Sequence, residues 1–66
     1  MPYVKIEMIA GRTTEQKALV AKDVTDALVK HAKARPENVM VVFQDVAASD
    51  WAENGELIGK PKPGGA

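Results

Sequence analysis

Cysteine is absent from the 66 residues of this chain, and histidine occurs once, as His31. These scarcities exclude a disulfide framework and argue against an ordinary structural zinc site, which needs several such ligands. His31 has no second ligand at helical spacing, so we interpret it as a packing or interface residue. A chain this short buries too little apolar surface to be comfortably stable alone. We therefore expect a homo-oligomer.

An excess of charge of either sign is also missing, because nine basic and nine acidic residues are interspersed and the net charge is zero. Without a basic stripe we expect no binding to nucleic acid or to an anionic membrane. The longest wholly apolar run covers only residues 39–43, far short of a membrane span, and no signal-peptide pattern opens the chain. We expect a cytoplasmic protein.

Two stretches that are present have the character of strands. Residues 3–9 alternate between apolar and polar side chains, which is the period of a strand with one face buried. Residues 39–46 are short and rich in β-branched side chains, which favours a strand over a helix.

The segment between these strands is typical of an amphipathic helix. Thr13 and Gln16 have the spacing of a capping box, so the helix should begin one residue after Thr13. Apolar residues recur three and four apart for about 20 residues. We expect Asp26 and Lys30 to form a stabilising pair on the exposed face and Pro36 to stop the helix.

Strand, helix and strand in this order predict an α+β chain built on a single βαβ unit with two parallel strands. Asn54-Gly55 is a strong signal for a C-terminal hairpin. We expect one domain over residues 1–60 and a disordered Pro/Gly-rich tail over 61–66. Because two strands make an incomplete sheet, a second chain should extend its edge by dimerisation, and further chains should cover its bare face.

Pro2 is the candidate catalytic residue. Removal of Met1 would leave a secondary amine at the start of a strand, which would hold it more rigidly than most termini. A neutral amine can accept a proton when its pKa lies near the working pH. The simpler interpretation is a strand that begins with a residue lacking an N–H.

Four features in this order resemble the 4-oxalocrotonate tautomerase family, without gaps from Pro2 to about residue 59. They are Pro2 with a strand behind it, Gly11-Arg12 before the capped helix, the second strand, and Trp51 ahead of a Gly-Glu-Leu hairpin. The resemblance implies small βαβ chains that form dimers and usually a hexamer, a trimer of dimers. It also implies an enzyme that needs no cofactor.

The resemblance further implies roles for individual residues. Pro2 corresponds to the family's base, Arg12 to an arginine that binds the substrate carboxylate, and Trp51 to an aromatic position. The family's second arginine falls at Met40, which favours a substrate with one carboxylate. Burial against Trp51 and Met40 and the nearby Arg12 cation would each lower the pKa of the amine.

The resulting hypothesis is an isomerase that moves a proton within a small unsaturated 2-oxo or 2-hydroxy carboxylic acid. One enzymatic alternative is hydration, dehalogenation or decarboxylation with Pro2 as an acid, which needs a water-activating group such as Gln44, Asp50 or Glu53. A second alternative is a non-catalytic oligomeric module, which retention of Met1 would favour because it turns the amine into an amide.

Overall fold

The computed structural model describes residues 1–59 and shows the predicted order of strand, helix, strand and hairpin. The order confirms the α+β fold class. The expected tail lies outside the described residues, and the domain boundary at residue 60 stays a prediction. The elements are β1 (Tyr3–Ile9), α1 (Thr14–Ala32), β2 (Met40–Val46), β3 (Ala52–Glu53) and β4 (Glu56–Leu57), with short 3-10 helices at Pro36–Asn38 and Ala48–Asp50.

Strands β1 and β2 pair in parallel, with Tyr3 opposite Met40 and Ile9 opposite Val46. Helix α1 covers one face of the pair, where every second strand residue is half-buried. The half-buried residues of α1 follow the helical period: Lys17, Ala21, Val24, Thr25, Leu28 and Val29. An ion pair joins this helix to β2, since the Lys17 Nζ donates to Asp45 Oδ2 at 3.0 Å.

The start of α1 confirms the predicted capping box. The Gln16 N–H donates to Thr13 Oγ1 at 3.1 Å, and the Thr13 N–H donates to Gln16 Oε1 at 2.8 Å. These two bonds satisfy backbone donors that the first helical turn leaves free. They also set the direction in which the chain leaves the loop after β1.

The other end of α1 corrects two expectations. The helix ends at Ala32, before Pro36, because Lys33 turns left-handed at φ 60° and the Ala34 N–H donates to the Leu28 carbonyl at 3.2 Å. Asp26 pairs with Lys22 at 2.8 Å rather than with Lys30. A hydrogen bond from Lys22 to that carboxylate, reinforced by the opposite charge, raises the pKa of Lys22.

The hairpin turns at Asn54 and Gly55, whose φ angles are 54° and 82°. Two consecutive positive φ angles are typical of a type I′ turn, which matches the twist of the flanking strands. Backbone bonds fasten the arm to the preceding turn: the Ile58 N–H donates to the Trp51 carbonyl and the Gly59 N–H to the Ala48 carbonyl, each at 2.8 Å.

No residue among 1–59 is buried in the single chain. The sheet face opposite α1 is bare and partly apolar, with Tyr3 59% and Met40 51% exposed. One helix on two strands therefore leaves a second apolar face and both strand edges uncovered. Within the same part of the chain, no helix is long and apolar enough to cross a membrane.

Candidate active site

Pro2 is held at the amino end of the sheet. Its carbonyl accepts a hydrogen bond of 3.0 Å from the Met40 N–H, which continues the β1–β2 ladder by one step. Pro2 is half-buried, whereas Met1 before it is exposed. The sheet thus fixes the backbone of Pro2 and leaves the preceding residue accessible.

Met40 is the first residue of β2 and is hydrogen-bonded to Pro2 across the strands. Its side chain lies on the bare face of the sheet. The register pairs it with Tyr3, and both side chains are exposed. An apolar thioether and a phenol therefore occupy the surface next to the amino terminus. Met40 supplies apolar contact here and no cation.

Arg12 lies at the opposite end of β1, in the loop that leads into α1. Gly11 before it has a φ of 130°, a conformation that side-chain-bearing residues rarely adopt, and this directs the chain from strand to helix. Arg12 lines an open groove of about 460 Å³ together with Met8, Gln16, Leu19 and Val20. It forms no ion pair with the residues that the structure describes.

Trp51 follows β2 and lines a second open pocket, of about 300 Å³. Val46 and Ala52 share this pocket with two carboxylates, those of Glu7 and Asp50. Asp50 is one of the polar candidates that the sequence offers for activating water. The sequence predicts no role for Glu7. Its alternation with the half-buried residues of β1 puts it on the bare face, where it shares the pocket with Trp51.

The four candidate residues do not meet within one chain. Pro2 and Met40 lie at the amino ends of the parallel strands, and Arg12 and Trp51 lie beyond the carboxyl ends. Ile9 lies seven positions after Pro2, a distance of roughly 23 Å at the rise of a strand. Trp51 and Arg12 also line different pockets, one on the bare face and one on the side of α1.

The candidate residues differ in the chemistry that their groups can supply. Residues 1–59 contain no group of three His, Cys, Asp or Glu side chains that could hold a metal ion. A proline at a chain terminus supplies a basic amine once it is free. An arginine that lacks a carboxylate partner among these residues can bind an anion with two parallel N–H groups.

The βαβ unit with two parallel strands and a C-terminal hairpin is the fold of the 4-oxalocrotonate tautomerases. The family model described as Tautomerase enzyme matches residues 2–61. This chain belongs to the tautomerase family.

Individual relatives agree with the family match. A probable tautomerase from Ralstonia nicotianae is 41% identical over 64 residues, which cover 97% of each chain. A 4-oxalocrotonate tautomerase isozyme from Methylibium petroleiphilum is 41% identical with a TM-score of 0.78, covering 82% of this chain and 87% of that one. A heterohexameric 4-oxalocrotonate tautomerase from Chloroflexus aurantiacus is 29% identical with a TM-score of 0.83, covering 88% and 94%.

Proposed function

We propose that the chain is a tautomerase that moves a proton within a small unsaturated 2-oxo or 2-hydroxy acid, with the Pro2 amine as the base. The observation that carries this proposal is the anchoring of Pro2 by the Met40 N–H at the end of the sheet. A fixed amine can take a proton from carbon or an enol oxygen and return it elsewhere on the conjugated system. Membership in the tautomerase family supports the same reaction class.

The complete site is composite, with Arg12 and Trp51 supplied by a second chain. When two such chains lie side by side in opposite directions, the carboxyl ends of one sheet meet the amino ends of the other. A two-fold axis repeats this contact, so each pair of chains forms two equivalent sites. The absence of any buried residue among 1–59 supports a homo-oligomer, and the hexameric relative from Chloroflexus aurantiacus supports a hexamer.

The substrate carries one carboxylate, which Arg12 binds through two N–H donors. Met40 offers the reacting end of the site an apolar side chain where a dicarboxylate would need a cation. Lys5, two residues from Tyr3 on the same bare face, lies 3.7 Å from the Glu7 carboxylate. This carboxylate competes for the Lys5 charge, which disfavours Lys5 as a replacement for an arginine at Met40.

The test begins with the intact mass of the purified protein, which should be lower than the encoded mass by one methionine. An aryl-enolpyruvate is then used as substrate. Pro2→Ala should lower kcat about 100- to 10,000-fold, the range expected for loss of a general base. Lys22→Ala is the control, because it changes a side chain on the exposed face of α1, outside the candidate site, and should leave turnover unchanged. Full retention of Met1, or normal turnover by Pro2→Ala, would contradict the proposal.

One observation favours a second candidate reaction, hydration or dehalogenation of an acrylate-like acid. Asp50 and Glu7 lie in the pocket with Trp51, where a carboxylate can activate water. In that reaction Pro2 would act as a proton donor. Two results together would favour this alternative. The wild-type protein would release halide from a 3-haloacrylate, and Asp50→Asn would not. The wild-type protein would also catalyse no proton transfer in an enolpyruvate.

A further inference from the structure

The C-terminal hairpin holds two like charges directly opposite each other. Glu53 of β3 pairs in register with Glu56 of β4, and both residues are exposed. Opposite residues of an antiparallel pair have Cβ atoms about 4.5–5.5 Å apart, and like charges there are destabilising. Residues 47–59 contain no lysine, arginine or histidine, and neither glutamate forms an ion pair within residues 1–59. A cation from elsewhere would therefore stabilise the hairpin.

Unpaired cations collect at the other end of the molecule. Lys30, Lys33 and Arg35 are exposed around the end of α1. None of them pairs with Glu37, the nearest acid along the chain, or with any other residue among 1–59. Helix α1 runs from the carboxyl end of β1 back to the amino end of β2, so these cations lie at the end of the sheet that holds Pro2. Their interaction with the helix dipole is favourable, but it leaves the glutamates of the hairpin without a partner.

The two charged surfaces are too far apart to neutralise each other within one chain. Strand β2 alone has seven residues, which is roughly 23 Å, and the Debye length at physiological ionic strength is about 8 Å. Two chains that lie side by side in opposite directions bring the hairpin of each to the helix end of the other. A two-fold axis makes this contact self-complementary, whereas a parallel arrangement would place like charges together.

We propose that the Glu53–Glu56 pair docks on Lys33 and Arg35 of a second copy of this chain, and that this charge pairing fixes the antiparallel direction of assembly. The guanidinium of an arginine can bind a carboxylate through two parallel N–H groups. Because Trp51 directly precedes the hairpin, the contact also carries this side chain toward the amino terminus of the other copy. The inference rests on the composite site of the proposed function and adds the surfaces that join the two chains.

Charge reversal at each surface tests the proposal without requiring turnover. Glu53→Lys/Glu56→Lys, the hairpin variant, and Lys33→Glu/Arg35→Glu, the helix-end variant, each place like charges at both contacts of a two-fold pair. Either variant alone should associate about 10- to 100-fold more weakly than the wild-type chain, as expected when four exposed ion pairs per two chains are lost. Sedimentation over a dilution series measures this loss, which should shrink between about 0.1 M and about 1 M salt.

Mixing the two reversal variants restores opposite charges at both contacts. Native mass spectrometry should then show oligomers that contain equal numbers of the two chains. All four substitutions in one chain are the matched control, because they exchange the charges at unchanged net charge and should restore a homo-oligomer. Glu53→Gln/Glu56→Gln removes the repulsion within the hairpin, so it should weaken association while circular dichroism shows an intact fold.

Unchanged association of both reversal variants would overturn the proposal. Weakened association that neither mixing nor the fourfold exchange restores would also overturn it, because the loss would then not depend on charge pairing between these surfaces. Assembly is the only readout, so a chain that fails to transfer protons with Pro2 can still pass this test, and a failure here leaves the proposed reaction standing.

Discussion

A site that takes Pro2 from one chain and Arg12 from another should be rebuilt by mixing two inactive variants. Pro2→Ala should lose about 100- to 10,000-fold in turnover, and Arg12→Ala should lose about 30- to 1,000-fold in kcat/KM for a carboxylate substrate. Equal amounts are unfolded together and refolded so that the chains assort at random. The mixed oligomers should then recover activity that neither variant has.

The expected recovery of activity follows from the positions of Pro2 and Arg12 at opposite ends of β1. A composite site works when the first chain keeps Pro2, with a chance of one half, and the second chain keeps Arg12, with the same chance. About a quarter of the sites in a randomly mixed symmetric oligomer should therefore be intact. Initial rates with an aryl-enolpyruvate, normalised to protein concentration, should approach a quarter of the wild-type rate.

The double variant Pro2→Ala/Arg12→Ala is the control partner. Mixed with Arg12→Ala, it leaves no wild-type Arg12 in any chain, and no activity should return. If the correct mixture also stays inactive while native mass spectrometry shows mixed oligomers, both residues must come from the same chain. That result would refute the composite site and the distance argument behind it.

Four further outcomes are expected. Sedimentation at micromolar concentration should show a homo-oligomer, most consistent with a hexamer, and a well-folded monomer would contradict this. Trp51→Ala should lower activity and leave the oligomer intact, whereas dissociation with unchanged turnover per folded site would make Trp51 an interface residue. Met40→Arg should shift kcat/KM toward a dicarboxylate by about 30- to 1,000-fold. If the wild-type enzyme already prefers the dicarboxylate and this variant shows no shift, another cation serves the role. Gly59→Ala should lower the midpoint of thermal unfolding, because a Cβ there lies 2.6 Å from the Ala48 backbone; an unchanged midpoint would mean that the hairpin shifts without cost.

The local elements were predictable because short-range interactions decide them. The side-chain alternation of β1, the capping box at Thr13 and the turn at Asn54-Gly55 each depend on residues within a few positions of one another. The sequence could not predict which of two equally spaced ion pairs forms. Asp26 has a lysine four residues away on each side, and the structure selects Lys22.

The sequence, through its family resemblance, also named the four candidate site residues, but it could not say which chain contributes each one. That depends on the tertiary structure, because parallel pairing of β1 with β2 places both amino ends at one end of the sheet and both carboxyl ends at the other. Pro2 and Met40 are thereby separated from Arg12 and Trp51 by the length of a strand. The parallel pairing of β1 with β2, which no local sequence pattern encodes, thus places the candidate residues at two opposite ends of the sheet.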